Sequence, residues 1–186
     1  EIVSRDWSSD VCSSDLDIVN EAIVQNDNGQ SIRIIMDDLK QPDKIKKAIE
    51  DGCQVIAFLD SDDFWHFNHL QSSLDNLNAQ TDIVYAKPEF ITEQGTYTQP
   101  VNITIPHIFV GKQLYHNNFI WVSSVVAKAQ CFEYNLFDDT LNSVEDWDMW
   151  IRLQEQNYTF VGDDIFFRKQ DGTYIKTMKY KTFRNN

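Results

Sequence analysis

A doubly wound α/β domain is what this sequence predicts, and three observations carry that expectation. The run Val55-Ile56-Ala57-Phe58-Leu59 is apolar, holds no turn residue and lies between polar stretches, as a strand buried on both faces does. It ends abruptly in Asp60-Ser61-Asp62-Asp63, at the end of a strand where ligands of open α/β sheets collect. On either side of it, strand-like segments alternate with helical patterns of about ten residues.

The first residues do not read as part of a fold. The stretch Asp6-Trp7-Ser8-Ser9-Asp10-Val11-Cys12-Ser13-Ser14-Asp15-Leu16 resembles a translated sequencing-library adapter, codon for codon once back-translated. Glu1-Ile2-Val3-Ser4-Arg5 fits the upstream part of the same oligonucleotide. Residues 1–16 therefore read as an adapter-derived artefact, and residues 17–186 as one domain incomplete at its N-terminus. The natural chain is expected to begin upstream of Asp17.

From there the elements follow in order. Residues 17–27 have helical apolar spacing, and Asn28-Gly29 makes a turn. Ile32-Arg33-Ile34-Ile35-Met36 reads as a strand ending in Asp37-Asp38. Pro42 opens a helix of about ten residues through Ile45, Ala48 and Ile49, with Gly52 at its end. The strand 55–59 follows; then residues 66–79 read as a helix and residues 82–91 as a strand that Pro88 interrupts. Glu93-Gln94-Gly95 is a hairpin-like turn. Residues 119–127 are apolar and β-branched, again strand-like; residues 143–156 form an amphipathic helix, and Ile165-Phe166-Phe167 a last short strand. Internal repeats, low-complexity runs and linkers are absent from the sequence.

Composition narrows the function. The formal charge is −13, of which the first sixteen residues supply −3, leaving −10 on the rest. So acidic a domain is a poor nucleic-acid binder, because phosphate contacts need a basic face. About 170 residues suffice for one domain with its own core. Cys53 and Cys131 remain once Cys12 is set aside, too few for a disulfide framework, and a reducing, cytoplasmic setting is the expectation. No apolar stretch reaches the length of a membrane span, and no signal peptide is visible.

The carboxylates after the central strand are the first candidate site. Side chains alternate along a strand, so Asp60 and Asp62 point the same way if extension persists to them. Two carboxylates facing one space repel unless a cation lies between them, and hard oxygen ligands suit Mg²⁺ or Mn²⁺ shared with a diphosphate. A solvated loop with helix-capping duty is the plainer alternative. A helix-loop-helix calcium site fails, because its glycine and glutamate positions hold Trp65 and Gln71. An aspartyl-phosphate phosphatase motif fails too, with Phe64 where its threonine belongs.

The second candidate is Val144-Glu145-Asp146-Trp147-Asp148-Met149-Trp150-Ile151-Arg152-Leu153. Taken by itself, the S-x-x-D spacing of Ser143 and Asp146 reads as a capping box. Lesser signals are His66 and His69, which stand at i, i+3 on what reads as an exposed helix start and could hold Zn²⁺. Trp65, Trp147 and Trp150 fit either an acceptor groove or the core. The six basic residues from Arg168 to Arg184 read as a solvated tail or as a contact for an anionic membrane.

Together the two stretches resemble family 2 glycosyltransferases. The resemblance lies in Leu59-Asp60-Ser61-Asp62-Asp63-x-Trp65, Ser123-Ser124, Phe137-Asp138 and Glu145-Asp146-Trp147-Asp148-x-Trp150-x-Arg152, in that order and spacing, with Ile34-Ile35-Met36-Asp37-Asp38 upstream. It covers about residues 22–168. It implies the nucleotide-sugar-binding fold called GT-A, a Rossmann-like mixed sheet flanked by helices. It also implies an inverting, metal-dependent transfer of one sugar from a nucleotide-diphosphate donor to a glycan or lipid-linked acceptor. Asp38 would meet the donor base, Asp60 the ribose or metal, and Asp62 would coordinate Mg²⁺ or Mn²⁺. Asp146 would be the general base. A bacterial role in surface-polysaccharide assembly at the cytoplasmic face follows from the same likeness.

The chain departs from the family in several places. The family's first strand has no counterpart, its Gly-Ser after the paired Asp is Leu39-Lys40, its Ala-Arg-Asn segment is missing, and no late His follows in Phe166-Phe167-Arg168-Lys169. Lys44, Lys46 or Lys47 could supply a phosphate-facing cation, or lie on a helix surface. A processive-synthase Gln-x-x-Arg-Trp motif is absent, which favours single-sugar transfer. Two rivals stand beside this reading. A nucleotidyltransferase needs a Gly-rich, basic phosphate loop that the sequence lacks; a non-catalytic nucleotide-sugar-binding module needs no base.

Overall fold

The computed structural model describes residues 11–12, 21–25, 29–36, 42–60, 63–66, 68–92, 95–97, 106–108, 113–141 and 143–169. Its elements in chain order begin with β1 (Val11–Cys12), β2 (Glu21–Gln25), β3 (Ser31–Met36), α1 (Pro42–Glu50), β4 (Val55–Leu59), β5 (Asp63–Trp65) and α2 (His69–Asn76). They continue with β6 (Ile83–Thr92), β7 (Gly95–Tyr97), β8 (Val126–Lys128), α3 (Glu145–Glu155) and β9 (Phe160–Lys169). The predicted sites Asp38 and Asp62, the Asp37-Asp38 pair and the basic tail beyond Lys169 lie outside the described residues.

Every residue of β4 is buried, which is what its unbroken apolar sequence requires. It pairs parallel with β3, Ile32 opposite Val55 and Met36 opposite Leu59. On its other side β8 runs antiparallel, Ala57 opposite Val126. The sheet continues through β6 and β9 to β5 and β1, in the order β1-β5-β9-β6-β8-β4-β3-β2, with β7 paired to β6. Strands β3, β4, β6 and β9 therefore share one direction, while β2, β5, β7 and β8 oppose it. The architecture is an α/β mixed sheet with helices, compatible with a Rossmann-like glycosyltransferase fold. It is not the all-parallel arrangement that alternating strands and helices alone suggest.

Helix α1 begins at Pro42, carries Asp43 in its first turn and Lys47 in its last, and buries Ile45 and Ala48. It closes at Gly52, whose φ of +78° lets Gly52 and Cys53 donate back to Ile49 and Ala48 at 3.0 Å each. Helix α3 closes the same way on Asn157 (φ +65°), with Tyr158 donating to Leu153 at 3.1 Å. Lys46 and Lys47 pair with Asp43 and Asp51 at the helix surface, so neither stands as a free phosphate-facing cation. Cys53 and Cys131 are buried free thiols, and burial pushes Cys131 up to about 12.

Four expectations are corrected. In residues 17–27, Glu21–Gln25 is a strand, not a helix; it pairs antiparallel with β3, and ladder bonds override helical spacing. Residues 119–127 are not one strand: a 3-10 turn at Val122–Ser124 interrupts them and only Val126–Lys128 pairs. The helix expected over 66–79 is confined to His69–Asn76, because Asp63–Trp65 leaves as the short strand β5. His69 is not exposed but wholly buried, its ring 5.2 Å from that of Trp65. His66 bonds Asn68 outside the helix, and among the described residues no group of three His, Cys, Asp or Glu assembles for a metal. Trp65 and Trp150 are core residues.

Pro88 does not interrupt its strand: β6 runs through it, with a register shift against β9 between Ala86 and Pro88, where the proline has no N–H to give the ladder. Strands β6 and β7 pair antiparallel with Thr92 opposite Gly95, while the expected turn residues Glu93 and Gln94 lie outside the described residues. The last strand is longer than expected, reaching from Phe160 to Lys169.

Burial of His69 sets a pH dependence. Desolvation lowers its pKa from 6.5 to about 4, with Asp163 opposing and His66 adding to the fall. The folded chain therefore binds fewer protons than the unfolded one between those values, and stability falls as pH drops through that window. At about 1.4 kcal/mol per unit the loss is roughly 3 kcal/mol once pH is below 4. Urea titrations of wild type and His69→Leu from pH 7.5 to 4 should show the wild-type midpoint falling further than the variant's. Parallel curves would rule out a buried neutral His69.

Candidate functional site

The site forms where β4 ends. Asp60 follows Leu59 directly, and its backbone N–H donates to Ser123 Oγ at 3.0 Å. The carbonyl of the same Ser123 accepts the Trp65 indole N–H at 2.6 Å. Ser123 therefore grips both sides of the carboxylate stretch, and the 3-10 turn that breaks residues 119–127 is what puts it there. Ser124, next in the chain, donates to the Trp121 carbonyl at 2.6 Å. Asp63, the third carboxylate, is buried in β5, while Asp60 is half-buried.

Asp146 arrives from a different direction. Helix α3 precedes β9, which runs parallel to β4 through β6 and β8, so the start of α3 lies at the sheet edge where β4 ends. A file of edge-on aromatic rings sets that spacing. Phe58 of β4 meets Phe137 at 5.6 Å between ring centres, and Phe137 meets Trp150 of α3 at 6.0 Å. Arg152 fastens the loop that carries Phe137, donating to the Leu136 carbonyl at 2.8 Å and to Asp148 at 2.7 Å.

The capping-box expectation fails here. Ser143 has a φ of +71°, the residue at the N-cap is Val144, and no side chain caps the helix. Asp146 Oδ1 instead accepts the Trp147 N–H at 2.6 Å, and Oδ2 accepts Asn118 Nδ2 at 3.0 Å. Asp138 is exposed and held by Thr140, which keeps its carboxyl below the usual range. Phe137 beside it, not Asp138, does the packing.

Electrostatics sets Asp146 apart from an ordinary carboxylate. Burial raises its pKa from 3.8 to about 6. The bonds from Trp147 and Asn118 oppose that rise, and the charges of Glu145 and Asp60 add to it. Asp60 and Asp146, 86 residues apart in sequence, thus lie within electrostatic reach of each other. A carboxylate tuned to about 6 is ionised at neutral pH yet basic enough to accept a proton. Asn118, Ser123 as a backbone acceptor, and Leu114, whose carbonyl takes the Trp147 indole N–H at 2.5 Å, are the members that sequence reasoning did not single out for these roles. Their partners are 28 to 63 residues distant, so no local pattern announces them.

No family model matches the chain. A curated protein of Rickettsia bellii (strain RML369-C) bearing the name "Uncharacterized glycosyltransferase" is 28% identical over 104 residues. Those residues are 55% of this chain and 15% of that protein. A glycosyltransferase is suggested.

Two stability outcomes follow from the geometry. Ser123→Ala removes the acceptor for the Asp60 amide and should cost about 1–3 kcal/mol of unfolding free energy. An unchanged denaturation midpoint would sink the gripping role. For Asp146 the folded pKa is raised, so the native chain binds more protons than the unfolded one between 3.8 and about 6, and stability falls as pH rises across that window. Asp146→Asn should therefore be stabilised relative to wild type by roughly 3 kcal/mol above pH 6.5, and the gain should vanish below pH 4. Differential scanning calorimetry at both pH values checks it.

Proposed function

We propose that the chain is the donor-handling part of an inverting, metal-dependent glycosyltransferase of the family 2, GT-A type. Its donor is a nucleotide-diphospho-sugar, and its acceptor the hydroxyl of a glycan or lipid-linked sugar. The single observation that carries the proposal is that Asp60, at the end of the central buried strand, lies within electrostatic reach of Asp146, at the start of α3. The suggested likeness to a glycosyltransferase supports it, as does the paired LDSDD-x-W and EDWD-x-W-x-R pattern.

Mg²⁺ or Mn²⁺ is the cofactor this reading implies, and the residues suit a hard cation. One carboxylate oxygen of Glu145, beside Asp146, is buried with no hydrogen-bond partner among the described residues, so this corner holds more negative charge than its own donors offset. Asp60 and Asp62 would hold the ion. When bound, it would neutralise the departing nucleoside diphosphate.

The protein's own residues account for the remaining steps. Asp38 would face the donor base, and Asp60 the ribose or ion. Asp146 would take the proton of the acceptor hydroxyl as that oxygen bonds to the anomeric carbon and the bond to the diphosphate oxygen breaks. Attack on the face opposite the leaving group inverts the anomeric centre. Such a base is worth about 10²–10⁴ in rate. The same reading puts the reaction in bacterial surface-polysaccharide assembly at the cytoplasmic side of the membrane.

The test is turnover of a panel of UDP-, GDP- and dTDP-sugars with Mn²⁺, followed by nucleotide release, together with calorimetric donor binding. Asp146→Asn should lose at least about 100-fold in kcat with donor Kd unchanged, and chelation of the ion should abolish both turnover and tight donor binding. Full turnover in Asp146→Asn would instead favour a non-catalytic binding module.

A further inference from the structure

Helix α3 and residues 113–118 are clasped at three points. The Trp147 indole N–H donates to the Leu114 carbonyl at 2.5 Å, the Tyr115 hydroxyl to Glu155, and Asn118 Nδ2 to Asp146 Oδ2 at 3.0 Å. Leu114, Phe119 and Ile120 are buried, so the segment is anchored by its apolar residues as well. Asn118 itself has its orientation set. Its Oδ1 accepts the Ile120 N–H at 3.2 Å, which leaves Nδ2 as the atom that faces the carboxylate.

From this we propose that Asn118 is a positioning residue for the Asp146 carboxylate, holding it in one rotamer with a free lone pair on each oxygen for an acceptor hydroxyl. The inference rests on the reading of Asp146 as the base. Among the described residues two bonds hold the carboxylate, one per oxygen: Trp147 N–H on Oδ1 and Asn118 on Oδ2. The first belongs to the helix and moves with it; among the described residues it is Asn118 that ties the carboxylate to a second, separately anchored segment. A carboxylate accepts about four hydrogen bonds, so each oxygen keeps capacity for a proton donor from substrate. Without Asn118 the Oδ1 bond remains, but rotation that swings Oδ2 off its direction is no longer opposed. Misplacement of a reacting group by about 1 Å can cost on the order of 100-fold in rate.

Asn118→Asp separates this role from a merely structural one. It is close to isosteric and keeps the acceptor for the Ile120 N–H, but it turns a donor into an acceptor opposite Asp146. Asn118→Leu removes the donor without adding charge. With whichever nucleotide sugar the wild type turns over, both variants should lose about 10- to 100-fold in kcat with donor KM within about twofold. Wild-type kcat in Asn118→Asp overturns the proposal. Asp146→Asn tells the two failures apart: if it retains turnover the base reading has fallen, whereas if it is inactive and the Asn118 variants are not, only the positioning role has. A measurement independent of turnover uses the full ¹⁵N-labelled chain. The Asn118 side-chain amide proton, assigned by its loss in Asn118→Asp, should resonate downfield and return to the ordinary range in Asp146→Ala. An unmoved resonance also overturns the proposal.

Discussion

The site depends on how the most buried strand is stopped. β4 is covered on both faces and bonded on both edges, so the chain leaving it must be turned and held without exposing backbone donors. Ser123 does this with two different groups: a hydroxyl for the Asp60 amide and a carbonyl for the Trp65 indole. A strand through residues 119–127 would have spent that carbonyl on a ladder. The 3-10 turn frees it, and the first carboxylate of the site is placed as a consequence.

The second carboxylate is placed by packing. Phe58, Phe137 and Trp150 transmit the position of β4 to α3 through edge-on ring contacts, and Arg152 keeps the intervening loop from sliding. Aromatic faces and edges carry opposite partial charge, so such a file tolerates little rotation. The helix start is then brought to the β4 end with a charge already there. Glu145 and Asp60 repel the charge on Asp146 and burial disfavours it, while Trp147 N–H and Asn118 favour it. Its basicity is the balance of those opposing terms, which a solvated capping residue would never meet.

A buried histidine and a half-buried carboxylate pull the folded state in opposite directions. His69 is disfavoured when charged by its apolar surroundings against Trp65, and Asp146 is disfavoured when charged for the same reason. One charges on acidification and the other on neutralisation. A protein with only the core histidine would weaken steadily in acid; the candidate base offsets part of that slope. The cost of keeping a carboxylate ready to accept a proton is carried on the neutral side of the profile.

Residue order by itself determined β3, α1, β4, the strand that carries Pro88 and the body of α3, because each rests on local signals: apolar runs, a proline at a helix start, a glycine able to adopt positive φ. It also singled out Asp60 and Asp146, since carboxylates after a buried strand and at a helix start are local patterns too. Only the tertiary structure decided that Glu21–Gln25 is a strand, that residues 119–127 break at Ser123, that His69 is buried, and that Asn118 faces Asp146. Each of these is settled by partners far away in the chain. A strand needs a neighbouring ladder, a broken strand needs the donor it was broken to satisfy, and a buried side chain needs the element that covers it. Periodicity describes one segment and its own faces; which face meets which neighbour is a property of the assembled sheet.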